Sequence, residues 1–139
     1  MVWSNTLEIL KYSKEHIWAR LDDDGHITIG VSEFAQEELG EIIHIDLPGD
    51  GDEVFKDEPF GVIESNKTVT ELYSPISGEV IEVNHDVIDN PELINEDALS
   101  DGWLIRVEPS SDSEFSELLA PEEYEEYLKE DIEEFEEEE

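Results

Sequence analysis

Lys67 is the side chain of this protein best placed to carry a small chemical group. It sits in the polar run Ser65-Asn66-Lys67-Thr68, between the β-prone segments Phe60 to Ile63 and Val69 to Tyr73. Such a run reads as a hairpin turn, and a hairpin tip projects its side chain away from the core. A primary amine there is open to a modifying enzyme from most sides. On position alone it is an ordinary solvated lysine. Other chemistries find less support. The chain has no cysteine, which removes disulfides, thiolate nucleophiles and thiolate metal sites. No serine stands in a nucleophile setting. His16, His26, His44 and His85 are widely spaced, fit no metal-ligand pattern, and each reads as an exposed or edge-strand histidine. Asp22-Asp23-Asp24-Gly25 lacks the alternating spacing and distant Glu of a calcium loop and reads as a turn. Nothing here builds an enzyme active site.

The elements that must position Lys67 are mostly short strands. His16 to Leu21 is apolar and aromatic, and His26 to Val31 alternates cleanly, so the two pair across the 22–25 turn. Ser32 caps a short helix that runs to Leu39 and ends at Gly40, with Phe34, Ala35 and Leu39 on its inward side. Ile43, Ile45 and Leu47 alternate with Ile42, His44 and Asp46 in the next strand. Pro48-Gly49-Asp50-Gly51-Asp52 is a dense turn. Pro59 opens the strand before Lys67. Glu79 to Asn84 and Trp103 to Val107 are the later strands, the last ended by Pro109. Ser113 caps a helix to Leu119, and Pro121 starts a second whose stripe is Tyr124, Tyr127, Leu128, Ile132 and Phe135. Such a stripe is usually core packing. Gly51-Asp52-Glu53-Val54 and Ser77-Gly78-Glu79-Val80 echo one another, a weak sign of two similar β units.

At 139 residues the chain is the size of one compact domain, and no apolar stretch approaches membrane-spanning length. Its start lacks the pattern of a signal or transit peptide, so a cytoplasmic protein is the default. The formal net charge is -34. Pro121 to Glu139 holds twelve acids and one lysine; the other 120 residues hold 29 acids and six bases, so the acidity covers the whole chain. This field repels nucleic acid and anionic membranes and attracts basic docking patches. It reads first as a solubility adaptation, in which salt screens the self-repulsion.

The segment from Gly51 through Glu64-Ser65-Asn66-Lys67 resembles the lipoyl and biotinyl carrier modules: a Gly-Asp turn, a strand with a Glu, then the modified lysine at a hairpin tip. Leu72 to Asn84 continues the match. Biotin carriers show Met on both sides of the lysine, whereas Asn66 and Thr68 stand here. Generic lipoyl domains of the 2-oxo acid dehydrogenases show Asp before it and Ala after it. Further blocks resemble the glycine cleavage H-protein family: Lys11 to Trp18, Ile27 to Ile42, Asn90 to Asn95 and Asp101 to Ile105, all in order from about Tyr12 to Leu128.

That resemblance implies a mainly β fold, the flattened β barrel or sandwich of the lipoyl/biotinyl carriers (a barrel-sandwich hybrid), with a short helix near 32–39 and C-terminal helices. Residues 1–128 form the lipoyl-carrier domain and 129–139 an acidic extension, helical or frayed. It implies lipoic acid in amide linkage on Lys67, with recognition by Glu64, Ser65, Asn66, Thr68 and Glu71 around the turn. The implied partners are the pyridoxal-phosphate-dependent glycine decarboxylase, the tetrahydrofolate-dependent aminomethyltransferase, dihydrolipoamide dehydrogenase, and a lipoyl ligase or transferase. The carrier itself is not catalytic. Three departures stand out. Asn66 replaces a small apolar residue, Thr68 replaces Ala or Ser, and Ile17 replaces the family Glu that holds the amine of the loaded arm. Glu15 and Glu71 are the candidates to take that place. An H-like relay handing lipoate to other enzymes would not need that carboxylate, and is the alternative.

Overall fold

A computed structural model describes residues 9–111 and 113–137, with side chains to residue 130. The Met1-to-Asn5 start, Glu138 and Glu139, and the side chains of Ile132 and Phe135 lie outside it. The described elements are β1 Leu10–Tyr12, β2 Ile17–Leu21, β3 Ile27–Val31, α1 Glu33–Leu39, β4 Ile42–Asp46, β5 Glu53–Val54, β6 Pro59–Ser65, β7 Val69–Tyr73, β8 Gly78–Val83, α2 His85–Asp89, α3 Glu92–Glu96, β9 Ile105–Pro109, α4 Ser113–Ser116 and α5 Pro121–Glu137. Helix α5 runs without a break through residue 128. Among the described residues no helix is long and apolar enough to cross a membrane.

The strands form two antiparallel sheets, one in the order β1-β2-β3-β9-β8-β5 and one in the order β4-β6-β7. Mainly β, with few helices and only the C-terminal one longer than seven residues among the described elements, the fold is the expected sandwich type. Ile17, Ile29, Val31, Ile45, Ile63, Ile76, Leu104, Ile105 and Val107 are fully buried between the sheets. Burying branched side chains of this kind contributes about 1.5–3 kcal/mol each. Trp18 is also fully buried, with its indole N–H donating to the Ala98 carbonyl at 2.9 Å. Its ring lies so close over Gly30 that a Cβ there would stand 2.6 Å from it. Only glycine fits on β3 beneath this ring.

The β2–β3 pairing runs as expected, from Ile17 opposite Val31 to Leu21 opposite Ile27, and Gly25 turns it with φ +87°. The two echoing segments pair with each other, Glu53 opposite Glu79 and Val54 opposite Gly78. Several expectations shift. The alternation of 42–47 is broken by a bulge between Ile42 and His44, so Ile42 and Ile45 are buried while Ile43 is half exposed. The last strand starts at Ile105 and includes Pro109, which faces Gly78. The helix from Ser113 ends at Ser116. No residue of α1 is fully buried; Ala35 and Leu39 pack partly buried on the core. The short helices α2 and α3, like β1, were not foreseen from periodicity.

Candidate functional site

Strand β6 and strand β7 pair from Pro59 opposite Tyr73 to Glu64 opposite Val69, and Lys67 is exposed at their connecting turn. The turn is built on Ser65, which is 5% exposed. Its hydroxyl accepts from the Lys67 N–H at 3.1 Å and the Thr68 N–H at 3.2 Å, while its own N–H donates to the Thr68 carbonyl at 2.8 Å. A serine hydroxyl that bonds backbone amides two and three residues on fixes a tight turn without a glycine.

The hairpin tip also leans on the loop after α1. The Asn66 N–H donates to the Glu41 carbonyl at 3.0 Å. Gly40, at φ +86°, ends α1. A Cβ there would stand 3.1 Å from both Asn66 Oδ1 and Lys67 Cε, so the aliphatic stem of Lys67 passes directly over this glycine. Asn95 braces the loop from α3. Its amide nitrogen donates to the Gln36 side chain at 2.9 Å and the Gly40 carbonyl at 2.8 Å, and its oxygen accepts from the Ile42 N–H at 2.9 Å.

Between α1, β7 and the start of β2 lies a cleft of about 190 Å³, lined by Glu15, His16, Ile17, Val31, Phe34, Ala35, Glu38, Leu39, Thr70, Glu71 and Leu72. Leu39, on the wall of this cleft, directly precedes Gly40, the glycine that the Lys67 stem crosses. The lining is mostly apolar, with Glu15, Glu38 and Glu71 supplying negative charge. Ile17 is 1% exposed. Glu71 is held by the Tyr73 hydroxyl, which donates to it at 3.1 Å; that bond and the carboxylate charge push the Tyr73 phenol up. An apolar slot with acidic groups suits an aliphatic arm that ends in a cation. The residues present therefore fit a lipoyl arm rooted at Lys67.

Ser65, Asn66, Lys67 and Thr68 thus form one turn. Glu71 joins the cleft two residues into β7. Glu64 is half-buried on β6, opposite His44 and Val69, on the outward side of the small sheet. Glu38, Gly40, Tyr73 and Asn95 escaped sequence reasoning. Gly40 carried a signal, as the glycine that closes α1; Asn95 carried none, because its partners are 53 to 59 residues away. Of the histidines, His44 and His85 are exposed, but His16 is half-buried and bonded to Tyr124. Among the described residues no three His, Asp or Glu side chains group to hold a metal ion.

A family model described as Glycine cleavage H-protein matches residues 10–131. The chain is 51% identical over 122 residues to the glycine cleavage system H protein of Carboxydothermus hydrogenoformans, covering 88% of this chain and 93% of that one. It is 50% identical over 128 residues to the H protein of Halalkalibacterium halodurans, covering 92% and 99%. The crystal structure of a glycine cleavage system H protein from Mycobacterium marinum superposes with a TM-score of 0.78 at 32% identity, covering 89% of this chain and 97% of that chain. The fold, the exposed hairpin lysine and these likenesses agree: the chain belongs to the glycine cleavage H-protein family.

Proposed function

We propose that Lys67 holds lipoic acid in amide linkage, so that this lipoyl carrier of the glycine cleavage system moves the aminomethyl group of glycine between its partner enzymes. The observation that carries the reading is the exposed amine of Lys67 at the β6–β7 hairpin tip, whose stem crosses Gly40, the residue that follows the cleft-lining Leu39. In attachment, the unprotonated amine attacks an activated lipoyl carboxyl. A C–N bond forms, the bond to the leaving group breaks with its electron pair, and the amine proton passes to solvent. Lipoate held on Lys67 would supply a disulfide able to take the aminomethyl group on one sulfur while the S–S bond breaks and the other sulfur becomes a thiol, and dihydrolipoamide dehydrogenase would oxidise the dithiol back to the disulfide.

The chain's own residues do the rest. Ser65 fixes the turn, Asn66 ties it to Glu41, and Gly40 leaves room for the stem. Val31, Phe34, Leu39 and Leu72 offer an apolar bed for the arm, and Glu15, Glu38 and Glu71 favour a cationic amine at its end. Glycine decarboxylase, the aminomethyltransferase and dihydrolipoamide dehydrogenase are the partners this role requires. Tethering raises the effective concentration of the arm within each docked complex. Residues 1–128 serve as the carrier domain, and 129–139 as an acidic extension of it.

Ile17 supports a second reading, a relay that hands lipoate to other enzymes, because no carboxylate stands at that position of the cleft. The three glutamates that line the same cleft favour glycine cleavage. Two measurements test the proposal. Intact mass after incubation with a lipoyl ligase, lipoate and ATP should show one lipoyl increment, absent in Lys67→Arg; an unmodified wild-type chain overturns the attachment. Glycine–bicarbonate exchange with purified decarboxylase should be stimulated by the modified carrier. A fully modified carrier that fails to stimulate it overturns the glycine cleavage role and favours the relay.

A further inference from the structure

Four large apolar side chains are exposed among the described residues, and two of them share one surface: Ile43, 50% exposed, and Val69, 61% exposed. Both belong to the three-stranded sheet that ends in the Lys67 turn. Its outward face is read from the register. His44, Glu64 and Val69 form one cross-strand row, and Asp46, Val62 and Glu71 form the next. Ile43 joins them because the bulge turns it out of the core. The outward face therefore carries Ile43, Val62 and Val69 interspersed with the carboxylates of Asp46, Glu64 and Glu71. Strands β4, β6 and β7 contain no lysine or arginine. Lys67 supplies a cation at the turn that joins β6 to β7.

An enzyme that acylates the bare amine must reach the root of this side chain, so it has to sit on the hairpin. Enzymes that meet the far end of a finished arm can dock an arm's length away from that root. We propose that the outward face of β4, β6 and β7 is the docking surface for the lipoyl-attaching enzyme, which presents apolar groups to Ile43, Val62 and Val69 and lysines or arginines to the carboxylates among them. The inference rests on the lipoyl reading of Lys67. Exposed apolar groups among like charges suit a specific interface, with the apolar contacts holding affinity and the charges steering approach.

The test measures acylation rates with a purified ATP-dependent lipoyl ligase over a range of carrier concentrations, comparing wild type with the Ile43→Ser/Val69→Ser double variant. The expected result is a KM raised about tenfold with kcat nearly unchanged, because the removed contacts serve encounter and not chemistry. Added sodium chloride should raise the wild-type KM as well, through screening of the carboxylates. Acetylation of Lys67 by a diffusible succinimidyl ester should proceed equally in both proteins, which shows the amine itself undisturbed. Wild-type modification with a double-variant KM within about twofold of it overturns the docking face, as does a variant that loses only decarboxylase coupling. Failure of the wild type to be modified overturns the lipoyl reading instead.

Discussion

The His16 ring and the Tyr124 phenol stand 2.8 Å apart, Nδ1 to Oη, joining the turn between β1 and β2 to the C-terminal helix. The same hydroxyl lies 2.9 Å from the buried Ser32 Oγ, which accepts from the Ala35 N–H and so caps α1. The Tyr124 ring stacks on Tyr12 at 4.2 Å. One phenol thereby holds together α5, β1, and two walls of the cleft, His16 and α1. Tyr124→Phe keeps the stacking and deletes the bonds. It should cost about 1–2 kcal/mol in urea unfolding, with the slope m unchanged.

The same phenol sets an alkaline limit. Burial, above all, pushes the Tyr124 hydroxyl from 10.0 to about 12. The folded chain then keeps its proton where the unfolded chain loses it. Stability from this group is complete below pH 10 and declines as pH rises from 10 towards about 12. The alkaline fall in melting temperature should be shallower in Tyr124→Phe than in wild type. An identical fall in both removes Tyr124 from the account.

Ser65→Ala leaves the Lys67 and Thr68 amides without their shared acceptor. Hydrogen exchange at these two amides should quicken while β6 and β7 stay protected, since their ladder is separate. Global stability should fall by about 1 kcal/mol, because the freed amides can turn to water. Unchanged exchange at Lys67 and Thr68 contradicts the turn as described.

Gly40→Ala introduces a side chain at φ +86°, where it also meets Asn66 Oδ1 and Lys67 Cε at 3.1 Å. A loss of about 1–2 kcal/mol follows from backbone strain and crowding. The Lys67 stem must move, so the amide resonances of Asn66 and Lys67 should shift in a two-dimensional NMR spectrum. Loss of stability without those shifts would confine the effect to the backbone.

Glu53, Glu79 and Glu108 lie side by side across β5, β8 and β9, all exposed. Like charges directly opposite each other destabilise a sheet. Glu79→Lys should raise the melting temperature at low ionic strength, by about 0.2–1 kcal/mol of stability, with the gain shrinking as salt is added. A gain independent of salt would point away from charge.

The hairpin and its lysine could be read from the sequence because the signal is local, a polar four-residue run between β-prone segments, while the closing bonds of Ser65 were not read from it. The Ser32 cap and the β2–β3 pairing were legible for the same reason. The phase of β4 was not, since a bulge leaves no mark on alternation until Ile42 and Ile43 are seen on opposite sides. Helices α2 and α3, five residues each, are too short to display a helical period. The cleft was least legible. Its walls come from residues 15–17, 31–39 and 70–72, and only the closure of the sandwich brings Glu15, Glu38 and Glu71 to one slot. Tyr124 was visible as part of an apolar stripe, but its hydroxyl partners His16 and Ser32 lie 108 and 92 residues away.

Asn95 touches Gln36, Gly40 and Ile42 with one amide group, so the ground beneath Lys67 is pinned from a helix outside the hairpin. A crane whose mast is bolted down sweeps an arc set only by its jib. With the pivot braced, the volume searched by a group hung from Lys67 is set chiefly by the torsions of that appendage, and each visit to a partner begins near the same origin.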